Sequence, residues 1–153
     1  MKIDVLPRRF FERIKGTSDE TEILETTRVI SINSRDDEPP FSEESLHSPN
    51  LLCLRFDDIA VPDYETGILF SEKDAQAILA FVHDDSMPLI VHCSAGISRS
   101  GAVGEVLDWY YNQWRSDNKD DHQYFLENNR QVMPNPIVRR LLMQALYQKE
   151  GNN

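Results

Sequence analysis

The stretch P-L-I-V-H-C-S-A-G-I-S-R-S-G-A-V, residues 88–103, decides how this chain is read. Its first half is a short apolar run of the kind found in parallel strands buried on both faces. Its second half changes rhythm. Ala102, Val103, Val106, Leu107 and Tyr110 recur at helical spacing and predict a helix from Ser100 to about Arg115. A buried strand, a loop of small residues and a helix in direct succession make one parallel α/β unit. In open parallel sheets, ligands sit beyond the carboxyl ends of the strands, which is where this loop falls.

The loop residues suit an anion. Ser94, Ala95, Gly96, Ile97 and Ser98 are small enough, apart from Ile97, for the chain to curl tightly and aim successive backbone N–H groups inward. The helix that follows adds the positive end of its dipole. Arg99, six residues after Cys93, carries a planar fork that matches two oxygens of a tetrahedral dianion. The same positive field favours the thiolate of Cys93, the nucleophilic form. A thiolate under a bound phosphoryl group is placed for in-line attack and a phosphocysteine intermediate, with Ser100 able to donate a hydrogen bond to the departing sulfur. This chemistry requires no metal and no cofactor.

His92, Cys93, Gly96, Arg99 and Ser100 at these offsets form an H-C-x5-R-S pattern that ordinary composition produces only rarely. It resembles the signature of the cysteine-based protein tyrosine phosphatases, and the form C-S-A-G-I-S-R-S is most similar to the compact dual-specificity branch and to small bacterial tyrosine phosphatases. The resemblance extends over most of residues 28–148. It implies an aspartate upstream of the cysteine that protonates the leaving oxygen. Asp57, Asp58 and Asp63 are the candidates. In the family the acid follows directly on a strand of alternating apolar residues, and setting Leu54 and Phe56 against that strand puts Asp58 in its place. Asp63, in V-P-D-Y, is similar to the acid loop of the longer members and stays open as an alternative, as does Asp57. Family loops that favour inositol phospholipids or RNA 5′-triphosphates carry extra basic or His residues. Ser94, Ala95, Ile97 and Ser98 supply none, so phosphorylated proteins are the expected substrates, phosphotyrosine foremost and phosphoserine or phosphothreonine left open.

Outward from the loop, the rest of the chain reads as strands alternating with helices. Ile3, Val5 and Leu6 suggest a first strand, with Pro7 in the first turn of a helix reaching Ile14. R-V-I-S-I at 28–32 and L-L-C-L-R-F at 51–56 read as further strands. Between them, residues 33–50 read as an exposed, proline-bearing connection with a helical turn near 42–46. Ser71 with Asp74 caps a helix carrying Ala75, Ile78, Leu79 and Val82. Residues 116–121 read as a solvated turn. Asn135-Pro136 starts a closing helix with Ile137, Val138, Leu141, Leu142 and Leu146 on its apolar stripe. The expected fold is α/β, a mainly parallel sheet of about four to five strands flanked by helices.

The chain has 153 residues, enough for one core. Residues 1–150 are expected to form a single phosphatase domain, with 151–153 a short tail. There is no secretory leader pattern and no apolar run long enough to span a bilayer. Two cysteines 40 positions apart are neither a disulfide framework nor a metal spacing, so a reducing cytoplasm is expected. A net charge of −10 disfavours nucleic acid and anionic membrane as partners. A monomer acting on phosphorylated protein is the expectation. Cys53 reads as a core residue of L-L-C-L, with oxidation to Cys93 as the minor alternative. Trp109, Tyr110, Tyr111 and Trp114 read as packing residues on one helix. Two other classes remain open: a phosphate-binding interaction module without turnover, and a sulfurtransferase.

Overall fold

The computed structural model describes residues 1–61 and 67–151. Four parallel strands make the sheet: β1 Ile3–Pro7, β2 Arg28–Asn33, β3 Leu51–Arg55 and β4 Leu89–Cys93, in the order β1-β4-β2-β3. Six helices accompany them: α1 Arg8–Ile14, α2 Ser18–Thr26, α3 Glu72–Phe81, α4 Arg99–Asp108, α5 Lys119–Asn128 and α6 Pro136–Gly151. The α/β fold is thus as expected, with four strands among the described residues. Residues 152 and 153, most of the expected tail, lie outside them.

Strand alternation sorts the core into two layers. Val5, Val91, Ile30 and Leu54 face one side and join Ile78, Val103, Leu107, Leu142 and Leu146 in the larger core. On the other side Val29 and Leu51 pack with Phe11, Leu24 and Phe41. The capping box of α3 is complete, since Ser71 Oγ accepts from the Asp74 amide while the Asp74 carboxylate accepts from the Ser71 amide. Pro7 ends β1 instead of opening a helix; it pairs with Cys93 and immediately precedes α1.

Several expectations are corrected. α2 has only Ile23 and Leu24 as large apolar residues, too few to show a helical period. Its buried Glu20 is held by Gly16, Ser42 and Ser45, which gives residues 33–50 inward contacts together with Phe41. The supposed turn at 116–121 is where α5 begins, Asn118 Oδ1 accepting from the Asp121 amide. After α4 the helix widens to i→i+5 bonding over Trp109–Trp114. That leaves Tyr110 and Tyr111 buried and Trp114 exposed, so Trp114 is not a core residue. Cys53 is exposed as well. L-L-C-L reads as doubly buried, but β3 is an edge strand and the helices do not cover that position. Ser31 stands between Cys53 and His92 in register, so Cys53 and Cys93 lie about 10 Å apart across two strand spacings. A disulfide needs Cα atoms within about 7 Å, and the oxidation alternative fails on distance.

Candidate active site

Every strand ends at the same rim, and the loop from Cys93 to Arg99 rises there between β4 and α4. Its curl depends on Gly96, whose φ is +70°. A Cβ at that position would lie 2.6 Å from the Leu6 carbonyl carbon and 2.6 Å from the Pro7 nitrogen, so only glycine fits against β1. The loop carbonyls are held from outside. Arg8 N donates to Ser94 O at 3.2 Å, Met133 N to Ile97 O at 3.0 Å and Asn135 N to Ser98 O at 3.0 Å. Gln131 Nε2 donates to Gly96 O at 3.2 Å. With its carbonyls so engaged, the loop turns its N–H groups towards the centre, the arrangement that cradles anions.

Cys93 sits at the floor and is 2% exposed. Its Sγ lies 3.0 Å from Ser100 Oγ. Burial alone would raise the thiol pKa, but hydrogen bonds from the Ser100 hydroxyl and from the amides of Ser100, Ile97 and Gly96 outweigh it, and the pKa is lowered. Arg99 is also buried. Its Nη1 donates to Phe56 O at 2.8 Å and to Ser34 Oγ at 3.0 Å, and its Nη2 to Ser94 Oγ at 3.0 Å. All these acceptors are neutral, so the guanidinium is fixed in place with its charge available to a ligand. Among the described residues, no group of three or more His, Cys, Asp or Glu side chains could hold a metal ion.

Of the aspartates, Asp58 joins the loop: its Oδ1 accepts from Ser98 Oγ at 2.8 Å and from Asn135 Nδ2 at 2.8 Å. Asp57 points elsewhere, accepting from the amides of Arg35 at 3.1 Å and Ile68 at 2.8 Å. Partial burial raises its pKa, but these two bonds and the nearby Arg35 and Arg99 charges more than compensate and lower it. Gly67, with φ +115°, lets the returning chain close on that carboxylate; a Cβ there would lie 2.8 Å from Asp57 Oδ2. Asp63 lies outside the described residues.

Beneath the loop, His92 is fully buried. Its Nε2 lies 2.6 Å from Ser31 Oγ, whose oxygen also accepts from Asn33 Nδ2 at 3.1 Å. Burial pushes its pKa down from 6.5 to about 4; the Cys93 carbonyl opposes this, and the Arg8 and Arg99 charges add to it. An unfolded chain therefore binds a proton near pH 6.5 that the folded protein refuses until about 4. Stability attributable to this histidine falls as pH drops through that window, by about 3 kcal/mol at ~1.36 kcal/mol per pKa unit. Denaturant titrations at pH 7 and pH 4 on the wild type and His92→Asn test this, and the variant's pH slope is expected to be the shallower.

Sequence reading missed the outer supports Arg8, Ser34, Gln131 and Met133. Single polar residues in irregular segments carry no period or motif, and only the Asn135-Pro136 helix start marked that region beforehand.

A protein-family model of the protein-tyrosine phosphatases matches residues 11–147. The chain belongs to the protein-tyrosine phosphatase family. A search of curated protein sequences finds no match. Among solved structures, the human tyrosine phosphatase-like serine/threonine/tyrosine-interacting protein is similar at TM-score 0.61 and 17% identity, over 99% of this chain and 93% of that one. Human DUSP28 is similar at TM-score 0.53 and 17% identity, over 99% and 95%. PTPMT1 in complex with PI(5)P is similar at TM-score 0.54 and 11% identity, over 99% and 94%. These likenesses establish the compact dual-specificity-like fold.

Proposed function

We propose that this protein hydrolyses phosphate monoesters on phosphorylated proteins, phosphotyrosine foremost, through a phosphocysteine intermediate, as a monomer in the reducing cytoplasm. The observation that carries the reading is the buried Cys93 sulfur, with its lowered pKa, at the floor of a loop whose carbonyls are held outward. The loop amides and Arg99 bind the phosphoryl oxygens. The Cys93 thiolate attacks phosphorus, the S–P bond forms and the P–O bond breaks, and Asp58 gives its proton to the departing oxygen. In the second step Asp58, now a carboxylate, takes a proton from water as the water oxygen attacks phosphorus. The S–P bond then breaks, inorganic phosphate leaves, and the thiolate is restored with Ser100 donating to it.

Asp58 suits the acid role because it is exposed at the mouth of the loop and tied to Ser98. Asp57 has its carboxylate committed to two backbone amides, which favour its ionised form and hold it away from the loop. Asp58→Asn is expected to cut turnover of phenyl phosphate about 10²-fold and to remove the basic limb of the pH–rate profile. Asp57→Asn is expected to keep that limb and to lose about 1–2 kcal/mol of stability, the worth of weakened bonds to a partly exposed carboxylate.

PI(5)P accompanies one of the similar structures, but Ser94, Ala95, Ile97 and Ser98 add no basic side chain for an inositol headgroup. A cleft of about 640 Å³ lies on the outer side of the loop, lined by Pro7, Arg8, Arg9, Ser94, Ala95 and Gln131 among others. A binding role without turnover is the second reading, supported by the likeness to a protein named as phosphatase-like and interacting. Phosphate release from p-nitrophenyl phosphate and then phosphopeptides, with chelator and reductant present, decides between them. The proposal expects chelator-resistant turnover. Phosphate or vanadate binding by folded, reduced protein with no turnover favours the binding module.

A further inference from the structure

We infer that Asn135 is a positioning residue that dictates which oxygen of Asp58 carries the transferable proton, an inference that rests on Asp58 being the general acid. Asn135 is 1% exposed and joins three parts of the molecule. Its backbone amide holds the Ser98 carbonyl at 3.0 Å. Its Oδ1 caps α6, accepting from the amides of Ile137 at 3.0 Å and Val138 at 3.2 Å. Its Nδ2 donates to Asp58 Oδ1 at 2.8 Å and to the Ile59 carbonyl at 3.1 Å.

The amide cannot be turned round. Backbone N–H groups only donate, so the atom facing Ile137 and Val138 must be the oxygen and the NH₂ must face Asp58. That NH₂ is a donor in every protonation state of the site. Asp58 Oδ1 therefore stays an acceptor throughout, and the proton of the acid form resides on Oδ2. Ser98 Oγ reaches the same Oδ1 at 2.8 Å, but a hydroxyl rotates and can either donate or accept, so it cannot impose the choice alone. Oδ2 then gives its proton to the leaving oxygen and takes one back from water without the carboxyl group turning over. Anchoring to Ile59 and to the helix cap also holds the acid at a set height above Ser98.

The test compares Asn135→Ser, Asn135→Asp, Asp58→Asn and the Asp58→Asn/Asn135→Ser double variant on phenyl phosphate, whose leaving group needs protonation, and on 2,4-dinitrophenyl phosphate, whose leaving group does not. Serine keeps a helix-capping oxygen but is too short to reach Asp58. Aspartate keeps the cap and replaces the donor with an acceptor. Asn135→Ser is expected to lose about tenfold more kcat/KM on phenyl phosphate than on the dinitrophenyl ester, with vanadate inhibition unchanged. In the Asp58→Asn background the same change is expected to add no further difference between the substrates. In Asn135→Asp the two facing carboxyl groups share a proton, and the basic limb of the pH profile moves to higher pH. Equal losses on both substrates, with the pH profile of Asn135→Asp unmoved, would reduce Asn135 to a helix cap and overturn the inference. If Asp58→Asn itself shows no preference between the substrates, the assignment of the acid fails first, and this inference falls with it.

Discussion

Cys93→Ser is expected to abolish turnover while leaving the protein folded and able to bind vanadate or phosphate. A serine hydroxyl fits the same space, 3.0 Å from Ser100 Oγ in the wild-type arrangement, so the outward-held loop carbonyls and the Arg99 anchors keep their partners. What is lost is the nucleophile. The loop amides and Ser100 lower the Cys93 pKa by stabilising a charged sulfur, but an aliphatic hydroxyl has no comparable anion for them to stabilise at neutral pH. With no base beside it to take its proton, the substituted hydroxyl is inert, and kcat falls by about five orders of magnitude or more, the scale seen when an essential nucleophile is removed. Steady-state assay on p-nitrophenyl phosphate, with thermal unfolding and vanadate titration alongside, separates this from misfolding.

Arg99→Lys carries the second largest effect. The guanidinium reaches Phe56 O, Ser34 Oγ and Ser94 Oγ from two nitrogens in one plane. That plane is what would meet two phosphoryl oxygens side by side. A lysine ammonium keeps the charge but is a single point with three donors, and it cannot hold these anchors and a pair of ligand oxygens together. The expected loss is about 10²- to 10³-fold in kcat/KM, with phosphate and vanadate inhibition weakened at least about tenfold. Both effects are expected together, because the same fork would bind the ground-state dianion and the charge that builds on it. A lysine variant that binds vanadate normally and loses only kcat would place Arg99 outside the oxyanion site.

The parts of the molecule legible in the sequence are those with a period or a fixed spacing. β4, the loop and α4 could be read because a buried apolar run meets a helical stripe with Cys93, Gly96 and Arg99 at set offsets between them. The α3 capping box and the Asn135-Pro136 start could be read because capping chemistry is local. α2 and α5 could not. Each buries one or two large side chains, Leu24 in one and Phe125 in the other, and the rest of their surface is polar. Cys53 was misplaced for a related reason: an apolar run tells that a strand forms but not whether it ends up in the middle of the sheet or at its edge. At the site, the H-C-x5-R-S spacing marked the nucleophile and the fork, and the family resemblance implied a short list of aspartates. The resemblance already favoured Asp58, and the fold adds that Asp57 and Asp58, neighbours in sequence, have carboxylates that bond in different places. The outer hold on the loop by Arg8, Gln131 and Met133 comes from segments far along the chain and left no local trace.

The proposed reaction passes the phosphoryl group through the sulfur of Cys93. Rapid acid quenching of enzyme with excess p-nitrophenyl phosphate, performed on Asp58→Asn so that hydrolysis of the intermediate is slowed, followed by peptide mass spectrometry, tests it most directly. A phosphoryl group on the peptide containing Cys93, absent from Cys93→Ser and lost on standing as inorganic phosphate appears, is the predicted result. Undiminished turnover by Cys93→Ser, or turnover in which no phosphoryl group is ever found on Cys93, would contradict it.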